Sequence, residues 1–98
     1  MNHIIISKRA LKELEKSFNW YEDNQEGLGE RFIIQFQKKI TGIISYPKRS
    51  VTRKFPCREA RIDIFPFIII YRFNEIKKEI FIVSVFHFSR NPKRKYNK

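Results

Sequence analysis

A group of cations and one histidine in the second half of the chain could do chemistry on a phosphate. The members are Arg53, Lys54, Arg58, Arg61, His87 and Arg90. Such a group could bind phosphates, or it could cleave RNA without a metal. In that reaction the 2′-hydroxyl attacks the adjacent phosphate, a base takes its proton, cations stabilise the phosphorane and an acid protonates the leaving 5′-oxygen. The catalytic candidates for this chemistry are Arg61, His87 and Arg90.

His87 is the acid–base candidate, because histidine is the side chain whose ordinary pKa suits proton transfer near neutral pH. It stands in the apolar run Val85-Phe-His-Phe88, so it could equally be a structural residue of a strand. The sequence leaves both interpretations open.

Other chemistries find little support in the sequence. The two histidines and the single cysteine are too scattered for a usual zinc site, and no glycine-rich phosphate loop is present. The acidic residues lie mainly in the first helical segment and the loop after it, which disfavours a metal-dependent nuclease. We therefore expect no metal and no cofactor.

The charge of the chain is its strongest global feature. The net charge is +11, and it divides into −2 for residues 1–30 and +13 for residues 31–98. A domain this basic binds an anionic partner such as RNA, DNA or an acidic protein, unless the charge serves only solubility. The predicted binding residues are Arg53, Lys54, Arg58, Arg61, Arg90, Lys93, Arg94 and Lys95.

Hydrophobic periodicity predicts the elements that position these residues in one domain, 1–98. Residues 2–6 form a short strand, and Ser7 caps a helix with an apolar stripe at Leu11, Leu14, Phe18 and Tyr21. Gly27 ends that helix. A second helix carries its stripe at Leu28, Phe32, Ile33, Phe36, Ile40, Ile43 and Ile44. Trp20 lies off the stripe. It could be exposed for a partner, but we expect it to close the edge of the core.

Four strands follow the helices. They are predicted around 51–55, at the alternating Ala60, Ile62 and Ile64, and in the apolar runs 67–73 and 80–88. The order β-α-α-β-β-β-β predicts an α+β fold, a mostly antiparallel sheet with a helical hairpin on one face. Residues 89–98 form a basic tail. One cysteine, no signal peptide and no stretch long enough to span a bilayer suit a cytoplasmic protein.

The chain resembles the RelE/ParE superfamily of bacterial type II toxins nearly from end to end. The resemblance is carried by Ala10-Leu-Lys-Glu-Leu14, Trp20-Tyr-Glu22, Gly27-Leu-Gly-Glu-Arg-Phe32, Tyr46-Pro47, Phe65-Pro-Phe-Ile-Ile-Ile-Tyr71 and Val85-Phe-His-Phe-Ser-Arg-Asn-Pro92. It implies the same fold, a toxin that arrests growth, and a cognate antitoxin whose acidic or amphipathic segment wraps the toxin in a hetero-oligomer.

The branch of the superfamily decides the expected target. RelE-type messenger-RNA cleavers usually have an arginine after the aromatic residue that opens the fourth strand, where this chain has Ile68. They also carry an arginine or a His-Tyr pair near the end of the last strand, where this chain has His87 and Phe88. The segments 27–32 and 87–92 look more like the ParE branch, which is associated with binding DNA gyrase.

Three functions remain open from the sequence. The first is a ParE-like toxin that binds gyrase and is not an enzyme. The second is a metal-independent, ribosome-dependent messenger-RNA endoribonuclease. The third is a basic nucleic-acid-binding module without toxicity, because a surface that meets an acidic antitoxin has the same charge as one that meets RNA.

Overall fold

The computed structural model describes residues 2–89. The elements are β1 His3–Ile6, α1 Lys8–Asn24, α2 Leu28–Ser45, β2 Val51–Lys54, β3 Cys57–Arg61, β4 Phe67–Asn74 and β5 Glu79–His87. The strands form one sheet in the order β1-β5-β4-β3-β2, in which β1 runs parallel to β5 and the other pairs are antiparallel. This confirms the predicted β-α-α-β-β-β-β fold. Apart from Ser89, the predicted basic tail lies outside the described residues.

The two helices pack side by side on one face of the sheet. On α2 the predicted stripe is confirmed, with Phe32, Phe36 and Ile43 buried. On α1 the buried face is rotated from the predicted one, because it includes the polar residues Glu13 and Ser17, whereas Leu11 is 52% exposed. Neither helix is long and apolar enough to cross a membrane in the part of the chain that is described.

Glu13 anchors helix α1 to strand β5. One of its carboxylate oxygens accepts hydrogen bonds from the Ser84 hydroxyl at 2.8 Å and from the Val85 amide at 2.9 Å. The other oxygen lies 3.3 Å from the Arg9 guanidinium, one helical turn away. A carboxylate that accepts buried donors in this way holds the helix in one position along the strand.

The anchor is needed because β1 is much shorter than β5. The pairing between these strands ends at Ile6 and Ile82, which leaves the rest of β5 with an unpaired edge. Ser7 covers the first open position, since its hydroxyl donates to the Val83 carbonyl at 2.8 Å and also accepts from Ala10 as the cap of α1. The Glu13 carboxylate covers the next, so the start of α1 replaces the missing strand.

The joint between the helices depends on Gly27, Gly29 and Glu22. Gly27 has φ +85°, a left-handed conformation that favours glycine. A Cβ at Gly29 would lie 2.7 Å from the Phe18 carbonyl oxygen, so the helices can approach this closely only with glycine there. The Glu22 carboxylate accepts from the amides of both glycines, at 2.9 and 3.0 Å, and so caps the start of α2.

Four aromatic rings join the helices to the sheet. Tyr21 and Phe32 from the helices meet Phe65 and Phe67, with ring centroids 5.0–6.3 Å apart in tilted or edge-on arrangements. Such pairs add specific geometry to the large apolar area that the rings bury.

The predicted burial of Ile64 is wrong. Strand β3 ends at Arg61, and Ile64 is 76% exposed with φ +77°. The turn between β3 and β4 places Phe65 in the core instead, where it completes the aromatic cluster. The alternation of apolar and polar residues continues to Ile64 in the sequence, but the strand itself ends at Arg61.

The central hairpin buries side chains on both of its faces. On the face away from the helices, a second cluster contains Cys57, Ile68, Ile70, Val83 and Phe86, each at most 9% exposed. The pairing of β4 with β5 shifts between Ile70 and Tyr71, which leaves Val83 as an extra residue in β5.

Replacing Glu13 by alanine is expected to lower the free energy of unfolding by about 2–5 kcal/mol, because two buried donors lose their acceptor. Glu13→Gln keeps one acceptor oxygen and should lose less. Glu15 is exposed on the same helix, and Glu15→Ala should change stability by no more than about 0.5 kcal/mol. Chemical denaturation followed by circular dichroism measures all three, and equal losses for Glu13→Ala and Glu15→Ala would contradict the anchor.

Candidate functional site

The predicted catalytic residues Arg61 and His87 lie on opposite faces of the sheet. Arg61 is paired with Ile68, and His87 is paired with Phe67. Directly opposed residues share a face and successive residues of a strand alternate, so the two side chains point away from each other. His87 therefore shares the helix-covered face with Phe67, whose ring it meets edge-on at 4.9 Å. The third candidate, Arg90, lies outside the described residues.

Arg58 takes part in holding the fold together. Its guanidinium donates to the carbonyls of Lys48 and Ser50 at 3.1 and 2.8 Å. These contacts hold the connection between α2 and β2 against the sheet. The hydroxyl of Tyr71, the residue paired with Arg58, donates to the Pro47 carbonyl at 2.6 Å in the same region. Burial raises the pKa of Tyr71, so the phenol stays neutral and keeps this donor.

Two arginines on the face away from the helices lie over aromatic rings. The Arg61 guanidinium is 4.5 Å from the centroid of Phe88, and that of Arg72 is 4.8 Å from the centroid of Phe81. Such stacking fixes the direction of a cation while leaving its charge exposed to a partner. Sequence reasoning missed Arg72, although it stands in the same apolar run as its neighbours and is the only cation there.

The remaining predicted binding residues divide between the sheet edge and the tail. Arg53 and Lys54 are exposed on β2, the edge strand, next to an irregularity in its pairing with β3. Lys93, Arg94 and Lys95 lie outside the described residues. The described cations are therefore spread over an edge and both faces, and they do not converge on one point.

His87 is fixed in one tautomer by Ser89. The Ser89 amide donates to Nδ1 of His87 at 3.0 Å, so Nδ1 of the neutral ring carries no proton. The Ser89 hydroxyl lies 2.7 Å from the same nitrogen, within hydrogen-bond distance. The proton of the neutral ring is therefore on Nε2, and His87 offers its surroundings a donor.

His87 lines a hollow of about 260 Å³ between helix α1 and the end of β5. The lining residues are Lys16, Ser17, Trp20, Tyr21, Phe67, His87 and Ser89. Trp20 is 62% exposed and meets the Tyr21 ring edge-on at 5.2 Å, so it borders this hollow and does not close the core as predicted. The spacing of Lys16 and Trp20, one helical turn apart, was the signal that could have placed them together.

Among residues 2–89, no group of three or more His, Cys, Asp or Glu side chains could hold a metal ion. Two acidic residues of α1 are engaged within the fold, since Glu13 binds Ser84 and Val85 and Glu22 binds the amides of Gly27 and Gly29.

The family of the chain follows from its sequence. A family model described as the ParE toxin of the type II toxin–antitoxin system, parDE, matches residues 4–92. The chain belongs to this family and is the toxin component of a type II toxin–antitoxin system. A search of curated protein sequences found no significant match.

Solved structures share the fold at low sequence identity. A chain of the chromosomal ParDE toxin–antitoxin system from P. aeruginosa superposes with a TM-score of 0.76 at 13% identity, covering 89% of this chain and 96% of that chain. A chain of the intact E. coli RelBE toxin–antitoxin complex gives 0.72 at 22% identity, covering 92% and 100%. The isolated E. coli RelE toxin gives 0.70 at 22% identity, covering 95% and 90%. These matches agree with the RelE/ParE fold expected from the sequence.

Nitrogen NMR of the histidine side chains tests the tautomer of His87. We expect Nε2 to carry the proton and Nδ1 to be an acceptor at a pH where the ring is neutral. His3, which is exposed on β1, provides an internal reference for a histidine that is not fixed in this way. A proton found on Nδ1 of neutral His87 would contradict this tautomer and show that Nε2 is not the donor.

Proposed function

We propose that this toxin arrests growth by binding a protein target, DNA gyrase, and that it does not cleave RNA. The observation that carries the proposal is the separation of Arg61 from His87 by the plane of the sheet. Cleavage by the route outlined above needs a base, an acid and a phosphate-binding cation around one phosphate. The described residues offer no such group.

The chemistry of single positions supports the same proposal. His87 has its Nδ1 engaged by Ser89 and would have to give up the hydrogen bond from the Ser89 amide to receive a proton there. Phe88 has no hydroxyl where RelE-type enzymes carry a tyrosine. Ile68, in place of their arginine, is 9% exposed in the second apolar cluster. The gyrase target itself rests on the resemblance to the ParE branch.

A cognate antitoxin is the second partner that we propose. The net charge of +13 over residues 31–98 calls for an acidic segment. The arginines stacked on Phe81 and Phe88 offer an apolar surface beside each charge, which suits an amphipathic acidic segment. The structural relatives named ParDE and RelBE are toxin–antitoxin systems. We expect a hetero-oligomer in the cytoplasm, where gyrase is found.

A supercoiling assay with purified proteins tests the gyrase target. The toxin should inhibit supercoiling by gyrase. Addition of the separately produced antitoxin should restore supercoiling.

The opposite result has a clear form. Undiminished supercoiling at a large excess of folded toxin would remove gyrase as the target. RNA cleavage by the purified toxin that is lost in a folded His87→Ala protein would instead support a catalytic histidine.

A further inference from the structure

We propose that the hollow between α1 and β5 binds a carboxylate side chain of a protein partner, with Lys16, Trp20 and His87 as its recognition residues. The inference rests on the proposed function in one respect, which is that the partner is a protein. It assigns a role to residues that lie outside the predicted cationic set.

Three of the side chains that line the hollow offer only hydrogen-bond donors, namely Lys16, Trp20 and His87. The hydroxyls of Ser17, Tyr21 and Ser89 can donate or accept. The Lys16 ammonium and the Trp20 indole N–H can only donate. His87 presents its protonated Nε2, because Nδ1 is engaged by Ser89. The Ser17 hydroxyl is already used in a bond to the Glu13 carbonyl at 2.8 Å. No carboxylate is among the described lining residues, so the hollow selects an acceptor-rich, negatively charged group.

The size and walls of the hollow indicate the class of ligand. Its volume of about 260 Å³ is below the roughly 300–1,000 Å³ of sites that enclose small molecules. It therefore accommodates a side chain better than a nucleotide. Tyr21 and Phe67 supply aromatic walls for the apolar part of that side chain. An exposed tryptophan beside such a depression is typical of the residues that dominate protein interfaces.

The position of the hollow is fixed by the fold. Lys16 and Trp20 follow Glu13 on α1, and Glu13 is bound to Ser84 and Val85 of β5. His87 is two residues beyond Val85 on that strand. The same anchor therefore places both walls of the hollow, so the site is already formed before a partner arrives.

Tryptophan fluorescence reports on this site directly, because Trp20 is the only tryptophan of the chain. The probe is the capped peptide acetyl-Asp-Glu-Phe-Glu-Asp-amide, titrated to about 1 mM, which would detect millimolar affinity. We expect it to change the emission of Trp20. The matched neutral peptide acetyl-Asn-Gln-Phe-Gln-Asn-amide should bind at least about fivefold more weakly, since it lacks the charge.

Two variants separate this site from general attraction to a basic protein. Lys16→Gln should weaken binding of the acidic peptide about fivefold, the effect of losing one partly exposed charge pair. Lys12→Gln removes the same charge from an exposed position one turn earlier on α1. It should weaken binding of the acidic peptide by less than about twofold. Thermal unfolding checks that both variants fold like the wild type.

Several outcomes would overturn the inference. One is the absence of any fluorescence change up to the highest peptide concentration. A second is an equal effect of Lys16→Gln and Lys12→Gln on peptide binding. A third is Lys16-dependent binding of a short oligouridylate that is tighter than binding of the acidic peptide. The gyrase assay uses the wild-type protein and does not depend on the peptide. Gyrase inhibition without Lys16-specific peptide binding would defeat this inference alone, and the reverse pattern would defeat the gyrase proposal alone.

Discussion

The buried carboxylate of Glu13 sets the relation between the helices and the sheet. The hydrophobic effect that drives this packing is non-directional, so burial alone leaves the helix some freedom to shift along the sheet. A carboxylate that accepts from the hydroxyl of Ser84 and the amide of Val85 removes that freedom, because displacement would leave buried donors without an acceptor. The Glu22 carboxylate does the same for α2 by binding the amides of Gly27 and Gly29.

The proposed binding surfaces depend on two constraints. The alternation of side chains in β strands separates Arg61 from His87, whatever their spacing in the sequence suggests. The helix anchor then brings Lys16 and Trp20 to the face on which His87 lies. His87 thus lines the hollow beside α1. On the other face of the sheet, Arg61 and Arg72 stack on aromatic rings. Both arrangements suit recognition of an acidic partner better than proton transfer.

The sequence was sufficient to predict the fold, and it was less informative about the site. Apolar periodicity located both helices and the central hairpin because each helix buries one face and the hairpin buries most of its side chains. It failed at Leu11 and Ile64, where a polar contact and a turn decided which residue is buried. Glu13 and Glu22 look like ordinary helix-surface charges in the sequence, since their partners are backbone amides and a distant serine. Arg61 and His87, which the sequence grouped together, lie on opposite faces of the sheet. The register of β3, β4 and β5 determines which face each residue occupies, and composition does not reveal that register.

The most direct test of the central claim is the integrity of messenger RNA shortly after the toxin is induced in cells that lack the antitoxin. Transcript ends should be mapped before and after induction, with and without an inhibitor of translation. The account predicts growth arrest with messages as intact as in uninduced cells. Rapid cleavage of messages that depends on translation would contradict it, and would mean that this toxin assembles a ribonuclease site on the ribosome.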